Sequence, residues 1–292
     1  MMSELFKWIN HPRRALWLCL SIVSVGLVQI IYEVYHQLRD LPKKSDMATQ
    51  FNALIEDAVT NQLAGEKLFS VIVLISLIIL GYHIIKQAWI HRMMRLQFDH
   101  QELQLLTDPY QQLFAKFEKN RIKVRVISHP GLIAMSWGIV RTQIILSDKM
   151  IAQCNKRELE AILLHEYYHC YRRHPLGTLL LKLAAKAGWF LPIIRDLLQY
   201  IEIQMELNAD RYAIEQMRSP APIGEILFKM ANQKMHHMYG GVFFAHTAIN
   251  YRIQQIIDPY VPLAVPLFKP KSLFQSVLFV LLLGWMLIIY CV

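Results

Sequence analysis

The sequence predicts a mainly α-helical membrane protein with a small β-sheet, in which one globular region lies between membrane-spanning helices. Hydrophobic residues make up 54% of the 292 residues and charged residues only 18%, against roughly 45–50% and 25% in soluble domains. The apolar residues are concentrated in three long uncharged runs, and only the middle of the chain can form a globular core. With 11 Gly, 12 Pro and 4 Cys, the chain does not match a disordered, collagen-like or disulfide-rich protein.

The first uncharged run predicts a transmembrane helix over residues 15–35, after a cytoplasmic N-terminus at 1–14. A helix over the uncharged residues 15–32 extends about 27 Å, close to a hydrocarbon core of about 30 Å. A cleaved signal peptide is the alternative. The run lacks a small-x-small cleavage site, and Glu33 follows it directly, so the membrane helix is favoured.

Two further runs predict transmembrane helices over residues 68–86 and 272–292. A helix buried in a soluble core is the alternative for each run, but such helices seldom stay uncharged over a full bilayer span. Residues 36–67 then form an extracytoplasmic loop that is too short to be an independently stable domain. The apolar spacing from Met47 to Val59 predicts one amphipathic helix within this loop.

The distribution of Lys and Arg predicts the orientation. Those that would share the cytoplasmic side are Lys7, Arg13, Arg14, Lys86, Arg92, Arg95, Lys269 and Lys271. The predicted outer loop has fewer, namely Arg39, Lys43, Lys44 and Lys67. By the positive-inside rule, this is a multi-pass protein of a bacterial-type inner (plasma) membrane whose central region faces the cytoplasm. The basic residues are not gathered on one predicted helix, so nucleic-acid binding is not predicted and the lipid bilayer is the expected partner.

The globular region, residues 87–270, begins with a predicted polar helix near 101–119. Residues 121–128 alternate between apolar and basic types, which predicts a half-buried strand with Lys123 and Arg125 on its exposed face. After a turn at 129–131, two more apolar segments are separated by a break at Gly138. We therefore expect a small β-hairpin or meander that precedes a helix.

That helix carries an HExxH motif. It begins with Asn155 and Glu158 in capping-box spacing and contains His165, Glu166 and His169. Histidines four positions apart share one helix face and can bind the same metal ion. Glu166 is placed to reach a water on that metal, so the motif predicts a catalytic zinc site with Glu166 as the general base. A chance HExxH is the alternative, against which the capping box and a downstream acidic pair argue.

The acidic pair is Glu206 and Asp210, on a predicted helix from Asp196 to Met217. The two are four residues apart and therefore on one helix face. Two acidic residues at this spacing more often lie on a solvated helix face. Because this pair follows a capped HExxH helix in the sequence, we expect it to complete a zinc site. We expect Glu206 to be the third ligand and Asp210 to hold a ligand imidazole by its other nitrogen.

Three segments carry a family resemblance: HEYYHCYRRHPLG, GWFLPIIRDL and MELNAD. Together they resemble the membrane-embedded M56 zinc peptidases, the family of the β-lactam sensor-transducers, over residues 124–257. The resemblance implies a gluzincin-like zinc metallopeptidase domain between transmembrane helices, with one Zn²⁺ per chain. It assigns the same roles as the spacing, with zinc ligands at His165, His169 and Glu206, the base at Glu166 and the supporting acid at Asp210.

Some residues depart from this family. Ala209 stands where M56 members usually have Cys, and ExxAD is typical of the M48 membrane peptidases. Tyr167 and Tyr168 replace small or aliphatic residues, and His174 replaces the more usual Asp. After the third predicted span we expect no penicillin-binding sensor, so antibiotic sensing is not implied.

The resemblance also implies residues that touch the substrate. An edge strand pairing with an extended substrate backbone is expected at Ile139, Val140, Arg141, Thr142, Gln143 and Ile144. His246 and Arg252 occupy positions where related peptidases place oxyanion-stabilising groups, with isolated surface residues as the alternative. Residues 176–194 are apolar apart from Lys182 and Lys186, and they predict a membrane-associated helix that spans, re-enters or lies on the bilayer.

The sequence therefore predicts a membrane-anchored zinc endopeptidase of protein or peptide substrates, with regulatory cleavage of a repressor or of itself implied by the resemblance. An M48-like quality-control or processing peptidase is the second reading, which Ala209 favours. A non-catalytic signalling scaffold is the third, and the intact motif argues against it. Cys154 and Cys170 lack CxxC spacing and are expected to be free buried thiols. The oligomeric state, the natural substrate and the activating signal are left open.

Overall fold

The computed structural model describes residues 65–103, 108–118, 121–232, 242–259 and 263–291. The predicted N-terminal segment, the first predicted transmembrane helix and the amphipathic helix of the outer loop lie outside these residues. The described residues form a mainly helical structure with a small mixed sheet, as the sequence predicts. The chain divides into two compact units. The apolar unit contains Leu181–Leu198, Leu267–Val292 and the chain up to Gln87, and the sheet unit contains Ala88–Leu180 and Gln199–Pro266.

The helices and strands follow one another in a simple order. The described helices are α1 (Gly65–Gln101), α2 (Asp108–Glu118), α3 (Asp148–Gln153), α4 (Lys156–Tyr171), α5 (His174–Ala187), α6 (Pro192–Met217), α7 (Ala221–Asn232), α8 (Val242–Ile257) and α9 (Pro270–Cys291). The described strands are β1 (Glu102–Leu103), β2 (Lys123–Ile127), β3 (Ala134–Trp137) and β4 (Gln143–Ser147).

The sheet is mixed, with the strand order β1-β2-β4-β3. Strands β3 and β4 form the predicted hairpin, but β2 pairs with β4 in parallel, so the strands are not a meander. Strand β4 is central in the sheet and buried on both faces, since Ile144, Ile145 and Leu146 are all fully buried. Continuous apolar runs of this kind are typical of central strands.

Strand β2 corrects one prediction. Lys123 is exposed as expected, but Arg125 is 7% exposed and not on a solvent face. Its Nη2 donates hydrogen bonds to Asp99 Oδ1 at 2.8 Å and Glu102 Oε2 at 2.6 Å. A buried guanidinium is tolerated here because its charge is paired at once by two carboxylates.

The β3–β4 turn corrects the predicted substrate strand. Gly138 has φ +109°, and a Cβ there would meet the carbonyl oxygen of Arg141, so the turn requires glycine. The predicted edge strand therefore begins in a turn, residues 139–142, and ends in β4, which lies between β2 and β3. Among the described strands, the edge beside β4 is β3.

The core of the sheet unit fixes the position of α4. Leu159 and Leu163 on this helix are fully buried, and they belong to one apolar cluster with the strands and with α2 and α7. Other members of this cluster are Leu113, Phe114, Phe117, Val124, Val126, Ile144, Leu146, Ile223, Ile226 and Leu227. The HExxH helix is thus held against the sheet along its length by packing.

Two described helical segments are strongly apolar. Leu74–Gln101 within α1 is the one described helix that is both long and apolar enough to cross a membrane, and its residues from Ala88 onward belong to the sheet unit. Pro270–Leu282 within α9 is a shorter apolar helix and belongs to the apolar unit. The predicted span at 68–86 therefore coincides with part of α1, and the multi-pass arrangement stays a prediction. The segment at 176–194 is not one helix, because residues 188–191 separate α5 from α6.

Candidate metal centre

The beginning of α4 has the predicted capping box. The Asn155 Oδ1 accepts from the Glu158 amide at 2.9 Å, and the Asn155 amide donates to Glu158 Oε2 at 2.7 Å. Lys229 on α7 donates to both oxygens of the same carboxylate, at 2.6 and 2.7 Å. Burial raises the pKa of Glu158, but the hydrogen bonds from Lys229 and from the Asn155 amide outweigh it and lower the pKa overall.

Three predicted ligands lie together at the other end of this helix. The Nε2 atoms of His165 and His169 are 3.1 Å apart. The carboxylate of Glu206, on α6, places Oε2 at 3.5 Å from His165 Nε2 and Oε1 at 3.3 Å from His169 Nε2. Both histidines are buried.

This donor set fits a zinc ion. Two ligand atoms at about 2.0–2.1 Å from one zinc, at a tetrahedral angle, lie about 3.3–3.4 Å apart. The observed separations among His165, His169 and Glu206 bracket that value. Two imidazoles and one carboxylate are also a usual donor set of catalytic zinc, with the fourth position left for water or substrate.

The second nitrogen of each imidazole has a different partner. His165 Nδ1 lies 2.8 Å from Asp210 Oδ1, as the sequence predicts for the supporting acid. His169 Nδ1 lies 2.6 Å from Nδ1 of His174, the first residue of α5. Sequence reasoning noted His174 only as a departure from the family and gave it no role. Its position five residues after His169 was the available signal.

The structure gives Arg252 two carboxylate partners. Its Nε and Nη2 donate to both oxygens of Asp210 at 2.6 and 2.8 Å, and its Nη1 is 3.0 Å from Glu206 Oε2. The guanidinium is therefore a counter-charge to the two acids, and the predicted role of Arg252 in stabilising an oxyanion stays a prediction. His246 is in the same helix, α8, but its side chain lies outside the described residues.

Electrostatics at the site favour a cation. Glu206 and Asp210 bring two carboxylates to the site beside the histidines, and Arg252 supplies one positive charge. Burial raises the pKa of Glu206, but the positive charges of His169 and Arg252 outweigh it and hold the pKa well below its usual range. Burial also raises the pKa of Asp210, but the positive charge of Arg252 outweighs it, and the pKa is lowered overall.

The histidines respond to the same charges. Burial lowers the pKa of His165, but the carboxylates of Asp210 and Glu206 outweigh it and raise the pKa to about 10. Binding of a cation at Nε2 therefore releases a proton at neutral pH. Burial and the charge of His169 lower the pKa of His174 to about 3, so its ring is neutral.

The β3–β4 turn contacts the same end of α4. Among the predicted substrate residues, Thr142 donates its hydroxyl to the carbonyl oxygen of Cys170 at 3.4 Å. The cysteine is buried, as expected, and burial raises the pKa of its thiol to about 12. The turn that follows the edge strand β3 is thereby tied to the helix that carries both histidines.

Comparison with known proteins identifies the family of the chain. The model of the family described as BlaR1 peptidase M56 matches residues 20–256. The regulatory protein BlaR1 of Bacillus licheniformis is 26% identical over 186 residues, which are 61% of this chain. The alignment covers only 28% of that protein, so the relative is much longer than the region they share.

Proposed function

The chain belongs to the M56 peptidase family, and from this membership and the geometry of the site we propose that it is a membrane-anchored zinc endopeptidase. One observation carries the proposal: the ligand atoms of His165, His169 and Glu206 all lie within 4.8 Å of one another. Two of these residues come from one helix and the third from another, so the cluster is built by the fold. Regular helical spacing alone would not produce it.

The residues divide the chemistry between them. His165, His169 and Glu206 would hold the zinc ion, which would supply a Lewis acid for the scissile carbonyl and would lower the pKa of water to near 7. Glu166, which follows His165 on α4, accepts the proton of the attacking water and later donates it to the leaving amine. Asp210 and Arg252 hold the first imidazole and the third ligand in place.

The substrate in this proposal is an extended stretch of protein. The open edge of β3 offers backbone hydrogen-bonding groups next to α4, and a peptide would add there as a further strand. In this proposal the substrate pairs with β3. The sequence predicted that it pairs with residues 139–144, but the strand residues among these belong to β4, which lies between β2 and β3.

The setting in this proposal is the cytoplasmic face of a bacterial-type inner membrane. The apolar length of α1 supports membrane anchoring, and the flanking Lys and Arg support the orientation. The relative's name as a regulatory protein supports a role in regulatory proteolysis, with a repressor or the chain itself as substrate. Ala209, fully buried on α6 between the two acids, favours membrane-protein quality control as the second candidate.

Metal content tests the zinc site directly. Elemental mass spectrometry of the detergent-purified protein should give about one zinc per chain for wild type. The His165→Ala/His169→Ala variant should lose the metal and Glu206→Ala should retain less of it, whereas His100→Ala, which removes an exposed histidine of α1, should match wild type. Wild type without zinc after reconstitution would refute the proposal.

Activity tests the base. Glu166→Gln should keep its zinc but lose cleavage of casein or of a candidate repressor by roughly 10²- to 10⁴-fold, because it can no longer accept the proton. A zinc-loaded Glu166→Gln variant that cleaves as fast as wild type would assign the proton transfer to another group.

A further inference from the structure

His169 has a partner on each side of its ring. Its Nε2 faces His165 and Glu206, where a metal would bind. Its Nδ1 lies 2.6 Å from His174 Nδ1, which is a hydrogen-bonding distance between two ring nitrogens. The contact is therefore specific to one atom of each ring.

A tight turn between α4 and α5 produces this contact. The Arg172 amide donates to the Tyr168 carbonyl at 2.9 Å, and the Arg173 amide donates to the Cys170 carbonyl at 3.1 Å. Arg173 then adopts φ +54°, the left-handed conformation that commonly ends a helix. Helix α4 ends before this residue, and the first residue of the next helix is His174.

Aromatic packing holds the His174 ring in this position. The ring meets His169 edge to face, with centroids 4.8 Å apart at 66°. It also meets Tyr168 edge to face, with centroids 5.6 Å apart at 76°. Tyr168 in turn packs on Tyr212 of α6, so the His174 ring is supported by both metal-ligand helices.

The proton positions follow from these contacts. If His169 Nε2 binds a metal, it uses its lone pair there, and the ring proton must lie on Nδ1. Two Nδ1 atoms at this distance need one donor and one acceptor, so His174 must accept at Nδ1 and carry its own proton on Nε2.

We propose that His174 is a positioning residue of the zinc site: its Nδ1 accepts the Nδ1–H hydrogen bond of His169 and thereby aims His169 Nε2 at the metal. The proposal rests on the proposed function, since it requires a metal at the triad. The two imidazoles are then oriented by unlike partners, His165 by the charged Asp210 and His169 by a second imidazole. Groups that orient ligand histidines typically change metal affinity by 10- to 100-fold when they are removed.

Three substitutions separate the hydrogen bond from the packing. His174→Ala removes both the acceptor and the ring. His174→Phe keeps an aromatic ring beside Tyr168 and has no acceptor. His174→Asn restores an acceptor oxygen at the place of Nδ1, because both atoms are bonded to Cγ.

The measurement is the zinc dissociation constant of the full chain in detergent, from competition with a chromophoric chelator. His174→Ala and His174→Phe should weaken zinc binding about 10- to 100-fold, and His174→Asn should return to within about threefold of wild type. The matched control is His129→Phe, which removes another Nδ1 acceptor, the one that receives the Gly131 amide at 3.0 Å. This control should bind zinc like wild type.

A second readout follows the ligand geometry and does not depend on activity. The visible absorption bands of Co²⁺ in place of zinc should change in His174→Phe and return in His174→Asn. Thermal unfolding of the metal-free variants identifies any substitution that fails to fold. If His174→Ala does not fold, the comparison of His174→Phe with His174→Asn still tests the proposal.

The outcomes distinguish the two proposals. Zinc binding by wild type together with unchanged affinity in His174→Phe would overturn the role of His174 and leave the peptidase proposal intact. Weak binding by both Phe and Asn would show that an acceptor at the place of Nδ1 does not restore the site, which would overturn the hydrogen-bond role. Absence of zinc binding by wild type would overturn both proposals.

Discussion

The two ends of α4 use buried polar groups in opposite ways. At its beginning, Glu158 is 2% exposed and is saturated by the Asn155 amide and by Lys229. At its end, two imidazole nitrogens face each other at 3.1 Å beside a carboxylate. The first arrangement is complete within the protein, whereas the second gathers three groups whose ligand atoms lie within 4.8 Å of one another.

The difference shows how one helix can serve folding and chemistry. A buried carboxylate with a matching cation and amide donors stabilises the start of the helix without any ligand. The metal ligands at the other end gain their full stabilisation only when a cation binds them. We therefore expect substitutions at the first end to change stability regardless of zinc, and substitutions at the second end to depend on it.

The largest effect should come from Arg252→Met. This change leaves Asp210 buried without its cation, at a cost of about 3–5 kcal/mol in the metal-free protein. Zinc should stabilise both wild type and the variant, but its positive charge beside the same acids should narrow the difference between them in thermal unfolding experiments. Lys229→Met is the matched control, because it removes the cation from Glu158 at the other end of the helix. It should cost about 1–3 kcal/mol by leaving that acid unpaired, and its difference from wild type should be the same with and without zinc. Differences from wild type that narrow equally in both variants would contradict the contrast.

The next effect is a pH dependence at the first end. The pKa of Glu158 is lower in the folded protein than in the unfolded chain, so its contribution is present at neutral pH. That contribution is lost as the pH falls through the lowered pKa. Glu158→Gln should therefore be less stable than wild type at pH 7, and the difference in melting temperature should shrink in acid. A difference that stays constant as the pH falls would contradict the assignment.

Removal of the cap should have a smaller effect. Asn155→Ala loses the acceptor of the Glu158 amide, which typically costs about 1 kcal/mol. Since the cap lies at the far end of α4, we expect the zinc dissociation constant to stay within about twofold of wild type. Asn155→Asp, which keeps an acceptor, should retain the wild-type melting temperature.

The smallest effect should come from Arg173→Gly. The left-handed conformation of Arg173 costs about 1 kcal/mol in a residue with a Cβ, and glycine adopts it without that strain. We expect stability to stay equal or rise slightly, with unchanged zinc affinity because His174 keeps its place. Arg173→Val should lower both stability and zinc affinity, since a β-branched residue resists this conformation.

Local helical spacing made much of the site predictable. The capping box, the HExxH pair and the Glu206–Asp210 pair each depend on residues three or four apart in one helix, where geometry is nearly fixed. The structure forms the capping box at the start of α4, and at the other end of this helix it brings the two histidines to Glu206 and Asp210, as expected. The family membership, which the comparisons confirm, was visible in the same segments.

The parts that escaped prediction depend on contacts between distant segments. The acceptor role of His174 needs a left-handed conformation at Arg173, and the sequence has no glycine there to indicate it. The burial of Arg125 depends on Asp99 and Glu102, more than twenty residues earlier. The displaced edge strand reflects the tight turn after Gly138, which begins where the apolar pattern suggested a strand.

The origin of the three ligands has a consequence for chain entropy. His165 and His169 come from α4 and Glu206 from α6, so a metal ion would close a loop over the intervening residues 170–205. In the unfolded chain that loop is open, and closing one of this length restricts the chain by an amount comparable to a disulfide, roughly 3–4 kcal/mol. Chelation would therefore remove a cross-link as well as a Lewis acid, and it would lower the free energy of unfolding by about the same amount.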